Sequence, residues 1–198
     1  MSSQKEIWDE LYSKERNKWK RETKSFNGVL NGKKVLELGV GNGKTLKSIL
    51  KDKPKFIKAV DFSKNAIEIC KSEFRDEKIE FVEGNVTNLP FEDEEFDIII
   101  CYYLLNNLNK DEQKTTVKEI HRVLSKNGKV LFEDFAKGDF RDDGKKENTG
   151  LIKNYFNLKE IKELFSGFSG MEIKIKEFNT IKSDDNLKRK IIGGIIKK

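Results

Sequence analysis

From about residue 33 onward, apolar positions fall into two alternating rhythms. Short apolar runs take turns with longer stretches in which apolar residues recur every three or four places. Lys34–Leu38, Phe56–Val60, Ile79–Val82, Phe96–Cys101 and Lys129–Phe132 read as strands. Phe96–Cys101 is almost wholly apolar, as a strand covered on both faces must be. Asn42–Leu50, with Leu46, Ile49 and Leu50 on one side, reads as a helix. So do Ser63 to about Phe74, Asp111 to Leu124, and Asn157–Phe165. Ser63 is an N-cap for a face made of Ala66, Ile67, Ile69 and Cys70. Asn127-Gly128 reads as a turn into the fifth strand. Met171–Phe178 alternates as a strand, and Lys190–Ile196 reads as the last one, weakened by Gly193-Gly194. This order predicts an α/β fold with a mostly parallel sheet.

Three regions break the alternation. Residues 3–20 read as an N-terminal helix carrying Ile7, Trp8, Leu11, Tyr12 and Trp19. Residues 136–150 read as a long polar loop, and 179–189 as a charged turn. With no repeat and no linker, residues 1–198 are expected to form one domain: a helical cap over 1–28 and a core over 29–198.

Composition narrows the possibilities. Charged residues make up 37% of the 198, and no apolar run approaches the roughly 20 residues of a membrane helix. The first residues lack the apolar centre of a secretory signal. Cys70 and Cys101 lie far apart without metal-ligand spacing, so they read as buried thiols in a reducing cytoplasm, with no metal site. The net charge of +6 would suit an anionic partner such as RNA, but the lysines are interleaved with 34 acids along the whole chain.

Candidate chemistry concentrates in Val35-Leu36-Glu37-Leu38-Gly39-Val40-Gly41-Asn42-Gly43. A dinucleotide loop is G-x-G-x-x-G, with amides aimed at a pyrophosphate. Here the spacing is G-x-G-x-G, and Glu37 lies two residues before the first glycine. A carboxylate there suits a cationic or amine-bearing ligand better than a phosphate. Asp61 ends the second strand, where an acid can accept both hydroxyl protons of a ribose. Asn85 and Val86 follow the third strand and suit an adenine edge and face. Tyr102, Tyr103, Asn106 and Asn107 follow the fourth, and Glu133, Asp134 and Phe135 the fifth. Ligands of open α/β sheets bind at these strand ends.

Over roughly residues 30–135 these segments resemble class I S-adenosylmethionine-dependent methyltransferases. Val35–Gly43 resembles the family's first motif and Val60-Asp61-Phe62-Ser63 its acidic ribose segment. Glu83-Gly84-Asn85-Val86, with Leu89-Pro90-Phe91, resembles its adenine segment, and Asn85 departs from the family's usual Asp. Phe96-Asp97-Ile98-Ile99-Ile100 resembles the fourth motif, and His121-Arg122-Val123-Leu124 leads into the segment that follows it. The resemblance implies a Rossmann-like three-layer sandwich whose seven-stranded sheet has its last strand antiparallel. It implies S-adenosylmethionine as cofactor and S-adenosylhomocysteine as product. The implied cofactor set is Glu37, Gly39, Val40, Gly41, Gly43, Asp61, Phe62, Asn85, Val86, Cys101 and Tyr102, with Tyr12 and Trp19 from the cap. Glu37 either reaches the cofactor's amino group or caps local amides.

Methyl transfer from a sulfonium depends chiefly on alignment, so no catalytic residue need be visible. The fourth strand is followed by Cys101-Tyr102-Tyr103 in place of the Asp/Asn-Pro-Pro-Tyr/Phe motif of base and glutamine methylation. His121, the only histidine, reads as structural. Candidates for the acceptor pocket are Tyr102, Tyr103, Asn106, Asn107, Arg141 and Glu147. The expected acceptor is a small molecule, with tRNA or protein as the alternative and a non-catalytic binding module as the competing class.

Overall fold

The computed structural model describes residues 3–14, 25–142, 150–179 and 187–198. Its strands are β1 (Lys34–Leu38), β2 (Phe56–Asp61), β3 (Ile79–Glu83), β4 (Phe96–Tyr102), β5 (Leu124–Phe135), β6 (Gly170–Asn179) and β7 (Lys188–Lys197). They form one sheet in the order β3-β2-β1-β4-β5-β7-β6. β1 to β5 pair in parallel, while β7 runs antiparallel to both β5 and β6. The mostly parallel sheet with an antiparallel last strand is therefore present.

Alternation within the central strands builds two cores, one on each face. Val35, Ile57, Ala59, Ile98 and Ile100 pack toward α2 (Leu46–Lys51) and α3 (Lys64–Glu73). Leu36, Leu38, Val60, Ile99 and Phe132 pack on the other face against Val117, Ile120 and Val123 of α4 (Lys110–Val123) and Ile161 of α5 (Leu158–Leu164). Strong caps set the helix starts: Ser63 accepts from the Ala66 amide, and Asn109 and Asn157 each form a capping box with a glutamate three residues on. Both cysteines are buried free thiols.

Four elements differ from the sequence reading. The second helix starts at Leu46 rather than Asn42, because residues 41–45 are drawn into turns, with the Gly43 amide donating to the Val40 carbonyl at 3.0 Å. β5 begins directly after α4, and Asn127-Gly128 falls inside it. The register jumps from Phe96↔Leu124 to Ile98↔Lys129, so the expected turn is absorbed as a bulge. Gly193-Gly194 does not weaken β7 but lets it fit. A Cβ on Gly193 would lie 2.6 Å from the Phe132 carbonyl, and one on Gly194 would collide with the Glu172 carbonyl. A short 3₁₀ turn, Leu105–Asn107, has no counterpart in the sequence pattern. It is held by Gln113, whose amide donates to the carbonyls of Leu105 and Leu108 at 3.0 and 2.9 Å.

The N-terminal helix α1 (Gln4–Lys14) lies across the carboxyl ends of the strands. Asp9 accepts from the Ser63 hydroxyl at 2.5 Å and the Asn65 amide at 3.2 Å. Lys5 pairs with Glu83 at 2.8 Å. On the other side Gln4 bonds the backbone at Gly150 and Ile152. No helix among the described residues is long and apolar enough to cross a membrane.

Candidate active site

The glycine loop leaves β1 with Gly39, Gly41 and Gly43 all at positive φ. Its amides do not point to an open phosphate site. The Gly39 and Val40 amides donate to the Val60 carbonyl, and the Gly41 amide donates to Asp61 Oδ2 at 2.9 Å. The loop is thus tied to the end of β2. Gly41 also has to be small, since a Cβ there would lie 2.5 Å from the Tyr12 hydroxyl. Tyr12 lies over the loop, with Trp8 stacked on it at 5.7 Å between centroids.

Two carboxyl groups sit at the head of this loop. Asp61 is 5% exposed and also accepts from the Ser63 amide at 2.9 Å. Burial pushes its pKa up to about 6, against the pull of the backbone donors. Glu37 is 3% exposed. Burial raises its pKa well above the usual range, and the Asp61 charge adds to this. Its Oε2 is buried and accepts no hydrogen bond. Among the described residues neither acid has a salt-bridge partner within 4 Å, and no acidic or cysteine-histidine cluster could hold a metal.

A cavity of about 120 Å³ opens beneath α1. Of the expected residues it is lined by Tyr12, Gly39, Asp61, Phe62, Asn85, Val86, Tyr103 and Asn107. Asn85 Oδ1 is taken by the Thr87 amide at 3.0 Å, which leaves its amide NH₂ as the group free to meet a ligand. Trp8, expected with Tyr12 on the covering helix, also lines it; Gln4, Gly84, Leu104, Leu108 and Glu112 complete the lining and are absent from the expected site residues. Gln4 could have been found from its one-face spacing with Trp8 and Tyr12. Leu104 and Leu108 depend on the 3₁₀ turn, which the sequence pattern does not signal.

Other expected residues are placed elsewhere. Cys101 is fully buried in the core beneath the strand ends and does not reach the cavity. Val40 packs into the opposite core, and Tyr102 stacks on Phe26 at 6.2 Å. Gly41 and Gly43 shape the loop behind the cavity wall. Asn106 is 3% exposed, and its amide serves Asp134 and the Tyr103 carbonyl. Its place is structural. Burial raises the Asp134 pKa to about 8. Arg141 lies beyond the cavity, paired with Asp139 at 2.7 Å. Trp19 and Glu147 fall outside the described residues. His121 packs edge-on against Phe168, away from the strand ends.

A glycine loop tied to a ribose-type acid, an uncompensated buried carboxyl and a sheet with one antiparallel strand define the S-adenosylmethionine-binding class of α/β domains. The family described as "Methyltransferase domain" matches residues 36–132. The demethylmenaquinone methyltransferase of Lactococcus lactis is 36% identical over 124 residues, covering 60% of this chain and 48% of that protein. The chain spans about half the length of the curated relatives it matches. Among solved structures, a SAM-dependent methyltransferase from Anabaena variabilis superimposes with a TM-score of 0.76 at 16% identity, covering 100% of this chain and 96% of that one. The 1,6-didemethyltoxoflavin-N1-methyltransferase of Burkholderia thailandensis, solved with 1,6-didemethyltoxoflavin and S-adenosylhomocysteine, gives 0.71 at 18% identity, covering 100% and 91%. Residues 36–132 belong to the methyltransferase-domain family, and the chain as a whole has the fold of S-adenosylmethionine-dependent methyltransferases.

Proposed function

We propose that the protein transfers a methyl group from S-adenosylmethionine to a small-molecule acceptor. The observation that carries this reading is the pair of buried acids, Glu37 and Asp61, with no cation near them among the described residues. A buried anion without a counter-charge is unfavourable, and a ligand bearing an ammonium and a sulfonium relieves it. The residues fit that group. Glu37 is not in the cavity lining, but its buried Oε2 is an unused acceptor for an ammonium once the donor is bound. Asp61 keeps lone pairs for ribose hydroxyls beyond its two backbone bonds. Val86 and the Asn85 amide offer an adenine face and edge.

When bound, the cofactor supplies a methyl on a positively charged sulfur, displaced in line by the acceptor. The protein's own contribution is alignment and dryness. The loop fixes Glu37 and Asp61 relative to one another, and α1 covers the cavity with Trp8 and Tyr12. Holding donor and acceptor in line can supply roughly 7–11 kcal/mol of the barrier. The similarity to a demethylmenaquinone methyltransferase and to a 1,6-didemethyltoxoflavin-N1-methyltransferase supports a small acceptor.

The test incubates the protein with methyl-labelled S-adenosylmethionine and a fractionated metabolite extract, with mass spectrometry of the products and calorimetry of donor binding. A labelled metabolite and a saturable heat are expected. No heat and no label would overturn the reading.

A further inference from the structure

Beyond the cavity, the sheet carries a second arrangement that neither the donor site nor the fold accounts for. Tyr103, at the cavity edge, sits at φ +53°, a conformation rare for a non-glycine residue. Its hydroxyl donates to Glu133, and its ring packs on Phe135 at 4.9 Å. Two guanidinium groups converge on Phe135. Arg141 lies 4.0 Å from the ring centroid and Arg189 lies 5.8 Å from it. Arg189 is also 5.8 Å from Phe178, so it is held between two aromatic faces.

The charges of this pair are poorly matched. Arg189 makes no ion pair among the described residues, and its Nε is buried with no acceptor. Three carboxylates belong to the same neighbourhood, yet none of them pairs with Arg189. Glu177 holds Lys188 and Lys190, Asp139 holds Arg141 Nε, and Glu133 accepts from Tyr103. Arg141 uses only its Nε in that pair, and its Nη2 is a second buried donor without a partner. Buried donors are normally satisfied, and an arginine fork is the group that matches a planar oxyanion.

We propose that Arg189 and Arg141 form an oxyanion-binding subsite, so that the methyl acceptor is a small aromatic or conjugated molecule bearing a carboxylate or phosphate. This rests on the methyltransferase reading and names the substrate class for it. The wall formed by Tyr103 and Phe135 carries the apolar part of the acceptor from the donor cavity to the two guanidinium groups. The anion at the far end then fixes which atom faces the donor.

The experiment uses protein saturated with S-adenosylhomocysteine and follows the Arg189 Nε–H resonance by ¹⁵N NMR, assigned by its loss in Arg189→Lys. Benzoate and phenyl phosphate are titrated as anionic probes and benzamide as their neutral counterpart. The expected result is a saturable shift with at least one anion, at least tenfold tighter than benzamide. The tighter anion identifies the carboxylate or the phosphate form. Read by calorimetry of the probe on the same S-adenosylhomocysteine-saturated protein, since neither variant retains the Arg189 Nε–H, Arg189→Gln should weaken that probe at least tenfold, and Arg189→Lys, which keeps the charge, should weaken it less. Equal binding of benzamide, unchanged anion binding in Arg189→Gln, or no saturable shift with either anion overturns the proposal. Calorimetry of S-adenosylhomocysteine on the ligand-free protein separates the two levels. Donor heat without anion binding removes only the subsite, whereas absence of donor heat removes both.

Discussion

Replacing Asp61 with asparagine separates what this acid does for the fold from what it does for the ligand. Folding moves the Asp61 pKa from its ordinary 3.8 to about 6, because the carboxyl is buried. The anion is therefore disfavoured in the folded state by about 3 kcal/mol. A carboxyl whose pKa is raised on folding adds its full stability below pH 3.8, and that contribution is lost as pH rises through about 6. The amide of the Asp61→Asn variant cannot titrate, so wild-type stability measured against the variant should fall by about 3 kcal/mol between roughly pH 4 and 6 and stay flat above. Near neutrality the two proteins should lie close together. The variant avoids the buried charge but turns an NH₂ toward either the Gly41 or the Ser63 amide, a mismatch of about 1–3 kcal/mol. Urea denaturation at several pH values reads this difference directly. Affinity for S-adenosylhomocysteine should nevertheless drop about 10- to 100-fold, the loss of one charge-assisted hydrogen bond of about 1.5–3 kcal/mol. A stability difference flat with pH would refute the buried-anion argument. Unchanged affinity would refute the ribose role.

Other substitutions probe the remaining parts of the site. Glu37→Gln should leave stability equal or higher while weakening S-adenosylhomocysteine about tenfold or more. Because the raised pKa of Glu37 keeps its carboxyl protonated at low pH, wild-type affinity measured by calorimetry should climb with pH until the group ionises, and the variant should lack that climb. Gly41→Ala places a methyl 2.5 Å from the Tyr12 hydroxyl at φ +53°. A loss of about 1–2 kcal/mol is expected, seen as a Tm lower by several degrees; an unchanged Tm would show that Tyr12 yields freely. Asp9→Ala removes the acceptor that ties α1 to Ser63 and Asn65, so amide exchange across residues 4–14 should speed up at least tenfold. The cavity of about 120 Å³ is below the roughly 300 Å³ of ordinary small-molecule pockets, so α1 is expected to lift as the donor enters. Stopped-flow binding in the same variant should show a faster association rate.

The middle of the sheet is readable because β1 and β4 are largely apolar runs that need cover on both faces. Phe96–Cys101 and Lys34–Leu38 have no stable place except in the middle. Boundaries failed where tertiary contacts overrode local pattern. Helix α2 starts late because the loop before it is tied to Val60 and Asp61. The Asn127-Gly128 turn was absorbed because β5 pairs with β4 on both sides of it. The glycines of β7 looked weakening in one dimension and became necessary once β5 and β6 lay on either side of it.

The same distinction divides the site into a legible half and an illegible half. Glu37, the glycines, Asp61 and Asn85 lie at or just beyond the carboxyl ends of β1, β2 and β3, so the parallel pairing of those strands places them side by side at one edge of the sheet. A parallel sheet turns sequence order into spatial order there, and a motif can be read without knowing the packing. The acceptor half has no such rule. Arg189 enters from the antiparallel β7, Arg141 from the segment after β5, and Tyr103 from a strained position after β4. The register Phe135↔Ile191, the bonds that join residues 136–140 to Lys188 and Lys190, and the contacts of Phe135 bring them together. In the sequence Arg189 stands in a charged run and looks like one more solvated base. In the structure no acid among the described residues pairs with it: Glu177 and Asp139 hold other cations, and Glu133 bonds Tyr103. Donor chemistry can therefore stay constant across such a fold while acceptor choice changes with a few residues on β7 and the loop facing it.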